Sequence, residues 1–413
     1  MLDARFIRDN TEKVKLNTTQ RNMDAGLVDK WLGLDGQRKT LITSIDELRQ
    51  QKNASKGQLS EEQRTEAKNR KAELQQLEKQ LVEIETQWTD ILTQIPNVHS
   101  DDVPIGKSED ENVEIFKYKE PTKFSFEPKN HVDLAVSRGL IDFERGAKVS
   151  GSQFYYLQGD MVLLEMAIMQ FVFDLAIQKG FKPLHTPDLA HSRFYLGTGY
   201  NPRGDEAQTY EIADEDLGLI ATAEVTTAGY HADEIIPANE LPIKYIALSQ
   251  AFRKEAGAYG KYSKGLYRIH QFTKLEMFIY CKEEDSKAYH EEILAIEKEI
   301  MEKLDIPYRV VNICSGDLGA MAIKKYDIEA WMPGRNDYGE VTSASNCGDY
   351  QARNLNIRYR EDGKVKFAHL LNGTASALSR TLIAIIENYQ QADGTILVPE
   401  VLQKYIIGQK KFI

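Results

Sequence analysis

The chain has 413 residues, 42% hydrophobic and 9% aromatic, which is enough to bury a large core in two domains and excludes general disorder. Its formal charge of −11 excludes a surface broadly coated with nucleic acid, so any RNA contact has to be local. Cys281, Cys314 and Cys347 lie far apart and form no CxxC or Cys/His cluster, which argues against a sequence-local zinc site or disulfide framework and fits a reducing cytoplasm.

The opening MLDARFIRDN lacks the apolar core of a signal peptide, and residues 1 to about 26 read as a short helical lead-in. From about Leu27 to Ile95 the pattern is long-helical, broken once by the turn composition Asn53-Ala54-Ser55-Lys56-Gly57. Leu34, Leu41, Ile45 and Leu48 form an apolar stripe before the break. Leu74, Leu77, Leu81, Ile84, Trp88, Ile91 and Ile95 follow it in alternating steps of three and four, a heptad seam. The spacing predicts an antiparallel coiled-coil hairpin, with helices of about thirty residues and roughly 45 Å at ~1.5 Å rise. Its tip carries Arg49, Lys52, Lys56, Arg64, Lys68, Arg70 and Lys71 against Glu61, Glu62 and Glu66. In an acidic chain that asymmetry fits a lever lying along RNA phosphates; a solvated coiled coil or dimerisation arm is the plainer alternative. A linker with prolines and an acidic run spans 96–112, and the domain boundary is expected near residue 105, giving 1–105 and 106–413.

The second part is mixed. A short helix is expected over 130–139, a strand over 154–157, and an apolar helix over 161–179 with Gly180 as its C-cap. Glu165, Gln170 and Asp174 interrupt that helix, so no membrane span is expected. A strand-like run, 217–221, precedes Thr222-Ala223-Glu224, which alone reads as a helix start. Two strands joined by a Gly-rich loop (256–265) follow. Arg253 and Glu255 share a face of the first. Arg268, His270, Phe272, Lys274 and Glu276 share a face of the second. Arginines for phosphate, a ring for stacking and carboxylates for amino groups or Mg²⁺ suit a nucleotide; the alternative is a hairpin with a solvated charged face. In the strand around 339–347, alternation puts Glu340 with Thr342 and Ser343 opposite. The stretch 371–390 is expected to start with a Gly-containing turn and continue as a helix with Leu378, Leu382, Ile385, Ile386 and Tyr389 buried and Arg380 near its start.

FR-x-E, a Gly-rich loop and G-L-x-R-x-HQF-x-K-x-E resemble motif 2 of class II aminoacyl-tRNA synthetases, in the form seen in seryl-tRNA synthetases. GFKPLHTPDLA, with Pro187, resembles motif 1, which builds the dimer interface in that class, and 371–390 resembles motif 3. The opening MLDxxxIRDN, the basic arm and the exit Ile95-Pro96-Asn97-Val98 match the family's amino-terminal domain. The resemblance implies an α+β protein: an antiparallel sheet flanked by helices, with the amino-terminal coiled coil reaching the long variable arm of tRNA(Ser). It implies a cytoplasmic homodimer without membrane contact that joins L-serine to tRNA using ATP and Mg²⁺.

By the same resemblance, Arg253 and Arg380 are catalytic, holding the α- and γ-phosphates. Thr222, Ala223, Glu224, Glu276, Asn372 and Thr374 bind serine. Arg253, Lys254, Glu255, Arg268, Ile269, Phe272, Glu340, Val341, Thr342, Ser343 and Arg380 bind ATP, with Phe272 stacking on adenine. Glu340 and Ser343 hold Mg²⁺, which a regular strand would place on opposite faces. Lys261 and Lys264, Gly339, Asn354, Ser376 and Ser379 depart from the commoner pattern. The rival readings are a ligase that loads a carrier protein and an inactive paralogue that only binds.

Overall fold

The computed structural model describes residues 1–54, 61–200, 209–255 and 263–413; for 52–54 and 62–64 it describes the backbone alone. The chain divides into two compact units, Met1–Val98 and His99–Ile413. Residues 99–105 go with the second unit. There the Ser100 N–H donates to the Ile323 carbonyl, and Val103 is buried with Val311, Ile313 and Leu318.

In the first unit, short helices Ala4–Asp9 and Thr11–Gln20 lead into α1 (Gly26–Ala54) and α2 (Glu61–Leu92). Trp31 meets Trp88 at 5.4 Å, Arg38 meets Glu85 at 3.0 Å, and Arg49 meets Glu78 at 2.9 Å. Residue numbers rise along one helix as they fall along the other, so the pair is an antiparallel hairpin. The heptad stripe faces inward: Ile45 and Leu74 are buried, and Leu77, Leu81, Ile84 and Trp88 are half-buried between exposed polar residues. The root is a separate core of Ile7, Val14, Val28, Trp31, Leu92 and Ile95. It encloses Asp35, held by Arg8 at 2.7 Å and by the Trp88 indole N–H at 3.2 Å. Arg8 and Lys39 draw the Asp35 carboxyl down to about 2 despite burial. Of the basic residues expected at the tip, Arg49 and Arg70 are engaged by Glu78 and Glu66, and Lys68 and Lys71 are exposed. Lys56 and the side chains of Lys52 and Arg64 lie outside the described residues.

The second unit is built on an eight-stranded sheet. Its strands are β1 (Val113–Tyr118), β2 (Lys182–His185), β3 (Ile243–Phe252), β4 (Gln271–Cys281), β5 (Tyr308–Asn312), β6 (Lys324–Met332), β7 (Asp337–Asn346) and β8 (His369–Ala377). Their order is β1-β5-β6-β7-β8-β4-β3-β2, and only β2 runs parallel to its neighbour. One face is dry. Leu275, Met277 and Ile279 of β4 pack there against α3 (Asp160–Gln178), α4 (Ser286–Lys303) and α5 (Leu378–Asn388).

The turn expected at the start of 371–390 is absent: β8 continues unbroken through Gly373 to Ala377. Gly373 is needed for space. A Cβ there would lie 2.2 Å from Ile293 Cγ2 and 2.8 Å from Glu297 Oε1, so its absence lets α4 lie directly on the strand.

Candidate active site

The other face of β4, β7 and β8 floors a cleft of about 450 Å³. Two β-bulges decide which side chains reach it. Between β6 and β7, Ile328 pairs with Thr342 and Glu329 with Glu340, leaving Val341 as an extra residue. The bulge reverses the parity expected from a regular strand. Glu340 and Ser343 share the cleft face, and the Thr342 hydroxyl turns away and donates to Glu297 Oε2 at 3.3 Å. The expected pairing of Glu340 with Thr342 is therefore corrected. Between β4 and β8, Leu275 pairs with Ser376 and Glu276 with Thr374, leaving Ala375 extra. Thr374 and Asn372 thereby join Glu276 in the cleft, and the Thr374 hydroxyl lies 3.4 Å from Glu276 Oε2.

At one end the cleft is cationic. The Arg253 guanidinium sits 5.3 Å from the Phe272 ring, and its Nε donates to the Ala221 carbonyl at 3.4 Å. Arg268 pairs with Glu255 at 2.5 Å. Arg380, the third residue of α5, spans the Glu340 carboxylate at 3.1 Å and the Glu340 carbonyl at 3.0 Å, and stacks 4.7 Å from the Tyr267 ring. Burial opposes the Glu340 charge, but Arg380, Lys325 and Arg253 outweigh it and hold the carboxyl at about 2. Glu340 is thus ionised at neutral pH.

At the other end two acids are buried. Glu276 has the Lys274 ammonium at 2.6 Å, which also donates to Thr222 Oγ1 at 3.0 Å. Glu224 is held by three neutral donors: Gln351 Nε2 at 2.7 Å and Asn372 Nδ2 at 2.9 Å on Oε1, and the Tyr200 hydroxyl at 2.9 Å on Oε2. Burial, then the neighbouring Glu276, pushes its carboxyl up to about 7. A cationic ligand at this end would supply the counter-charge that the neutral donors do not.

Most of the expected site residues meet here: Arg253, Glu255, Arg268, Ile269, Phe272, Glu340, Val341, Thr342, Ser343 and Arg380, with Glu224, Glu276, Asn372 and Thr374. Three do not line the cleft. Thr222 caps the helix Ala223–Gly229 and holds Lys274, Ala223 is buried, and Lys254 is exposed with its ammonium 5.8 Å from the Tyr210 ring. Lys261 lies outside the described residues, and Lys264 is exposed. Tyr200, Lys325 and Gln351 were not anticipated. Lys325 lines the cleft and pairs with Asp327 at 3.1 Å. Asn354 donates to the Gly197 carbonyl at 2.8 Å, a contact that stabilises local structure.

An antiparallel sheet whose polar face gathers phosphate-sized arginines beside a small acidic pocket defines a class II aminoacyl-tRNA synthetase core, and the model of the tRNA synthetase class II core domain (G, H, P, S and T) matches residues 209–389. The seryl-tRNA synthetase N-terminal domain model matches residues 1–99. The chain is 52% identical to a serine–tRNA ligase of Dictyoglomus turgidum and 50% identical to one of Treponema denticola, each alignment covering 98% of both chains. Among solved structures it is similar to seryl-tRNA synthetase from Pyrococcus horikoshii complexed with ATP (TM-score 0.93, 40% identity, 100% of this chain and 99% of that one). It also resembles the cytoplasmic serine–tRNA ligase of Naegleria fowleri in complex with AMP (TM-score 0.89, 34% identity, 100% and 98%). The chain belongs to the seryl-tRNA synthetase family.

Proposed function

We propose that the chain activates L-serine with ATP and passes it to the 3′ end of a serine-accepting tRNA. The observation that carries this reading is one cleft with a cationic, ring-walled end and an acidic end, side by side on the same sheet face. ATP occupies the first, with adenine on Phe272 and phosphates on Arg253, Arg268 and Arg380. Serine occupies the second, its ammonium on Glu224 and its hydroxyl on Glu276 and Thr374. A serine carboxylate oxygen then forms a bond to the α-phosphorus as the bond to the bridging oxygen breaks. Pyrophosphate leaves with the electron pair. In the second step the terminal ribose hydroxyl of tRNA attacks the adenylate carbonyl and AMP departs. Neither step requires a protein nucleophile; positioning and charge neutralisation carry the rate.

Glu340 and Ser343 offer two hard oxygens on one face, a donor set that fits Mg²⁺. Among the described residues no group of three or more His, Cys, Asp or Glu is gathered to hold a metal alone, so such an ion would draw the rest of its shell from phosphate and water. When bound it would offset phosphate charge.

The coiled-coil arm is the tRNA-binding element of this reading, with Arg49, Lys68, Arg70 and Lys71 facing phosphate. Tyr156, Met166 and Ile177, exposed apolar residues on or beside α3, fit a homodimer contact. The three free, buried cysteines suit a cytoplasmic location, and among the described residues no helix is long and apolar enough to cross a membrane. The test is charging of total tRNA with labelled serine. ATP-dependent serylation that is lost in Arg253→Ala supports the reading, and charging unaffected by that substitution refutes it.

A further inference from the structure

Glu224 is a buried acid of the cleft whose hydrogen bonds come from neutral donors, and one of those donors stands behind the wall. Gln351 is the second residue of the helix Tyr350–Leu355 and is fully buried. Its Nε2 donates both to Glu224 Oε1 at 2.7 Å and to the Thr198 carbonyl at 3.1 Å, and lies 3.5 Å from Met321 Sδ. The amide orientation follows from these partners: turned over, its carbonyl oxygen would face a carboxylate and another carbonyl. In the present orientation its Oε1 has no hydrogen-bond partner among the described residues. A buried amide that leaves one atom unsatisfied to keep both N–H groups on chosen acceptors is placed for those acceptors.

We propose that Gln351 is a positioning residue for the amino-acid site. Anchored on Thr198, it holds Glu224 Oε1 in place and favours its ionised form, so that Glu224 meets the substrate ammonium. It touches no substrate itself. The inference rests on the assignment of this end of the cleft to serine.

Besides Gln351, the groups facing Glu224 come from the loop at Tyr200 and from strands β4 and β8. Tyr200 and Asn372 donate to it, Lys274 favours its charge, and Glu276 opposes it. Gln351 does not titrate, so its removal acts only through the hydrogen bonds. Donors to a carboxylate stabilise the charged form, and their loss raises the carboxyl further.

The experiment is serine-dependent ATP–pyrophosphate exchange by the full chain, with the serine KM followed from pH 6 to 9. In the wild type the serine KM falls as pH rises and levels off above about 7, where Glu224 is ionised. Gln351→Leu, close to isosteric, raises the serine KM at pH 7.5 by roughly 10- to 100-fold, the usual effect of a hydrogen bond to a charged group. It also moves the inflection upward by about one pH unit, leaving the KM for ATP within about threefold. Gln351→Glu has the opposite pH slope. Protonated, it still donates; ionised, it faces Glu224 as a second charge, so serine capture worsens as pH rises. That variant keeps one donor at low pH, enough for the Glu224 contact, and serves should the leucine variant not fold. A packing defect alone changes the KM for both substrates or kcat and leaves the inflection in place. Wild-type inflections in both variants overturn the role of Gln351. Absence of serine-dependent exchange in the wild type overturns the serine assignment instead.

Discussion

Replacing Arg380 with methionine removes a guanidinium and keeps most of the side chain's volume. In the free protein it bridges the Glu340 carboxylate and carbonyl at 3.1 and 3.0 Å and lies against Tyr267, so its position is fixed before any ligand arrives. It is also the strongest of the charges holding Glu340 at about 2. Two unit charges at about 4 Å interact by ~4 kcal/mol at an effective dielectric near 20. The cation's own desolvation offsets part of that, leaving roughly 3 kcal/mol of phosphate stabilisation. Each ~1.4 kcal/mol is a factor of ten in rate, so kcat/KM for ATP should fall by about 100-fold or more. The serine KM should change by less than about threefold, because Glu224, Glu276 and Thr374 are untouched. Arg380→Lys restores only part of the loss, because one ammonium does not reproduce the planar fork. Pyrophosphate exchange at varied ATP and saturating serine measures this. An ATP dependence equal to wild type in Arg380→Met would refute the assignment of this end to phosphate.

Three further expectations rest on separate features. With its carboxyl raised to about 7, Glu224 is charged above that pH and mostly neutral below it, so the serine KM rises about tenfold from pH 8 to pH 6; Glu224→Gln, measured in the same exchange assay, abolishes the dependence. Glu297, fully buried on the dry face, has its carboxyl raised well above the ordinary value by burial and by Glu276 and Asp327. As pH climbs past the usual carboxylate range the unfolded chain releases this proton and the folded chain keeps it, so this residue's contribution to stability falls with pH. Thermal melts should show Glu297→Gln gaining on wild type between pH 5 and 8; a constant difference would contradict this. Deleting about residues 30–95 should spare adenylate formation and abolish tRNA charging, and equal charging by the truncated protein would remove the arm from the account.

The hairpin of β3 and β4 was readable because its chemistry recurs at every second residue: Phe272, Lys274 and Glu276 reach one cleft from one strand. The coiled coil was readable for the same reason, its seam repeating every seven residues. Bulges break such inference. Whether Ser343 sits with Glu340 depends on the single extra residue Val341, and that is settled by the partner strand β6. Gly373 reads as a turn in the sequence because its reason for being glycine lies on α4, in Ile293 and Glu297. Tyr200 and Gln351 were invisible for a related reason. They meet Glu224 from 24 and 127 residues away, one from a loop and one from a six-residue helix, neither with a periodicity of its own. A glutamine between buried neighbours such as Tyr350 and Ala352 was the one local hint.

If one cleft takes serine beside ATP, serine-dependent ATP–pyrophosphate exchange without tRNA reads both ends of it in a single assay. Run against alanine, threonine, glycine and cysteine, it should proceed with serine. Alanine should fail because the buried Glu276 and Thr374 would lose their hydroxyl partner. Exchange driven by another amino acid in preference to serine, or by none, would refute the assignment of the acidic end to serine.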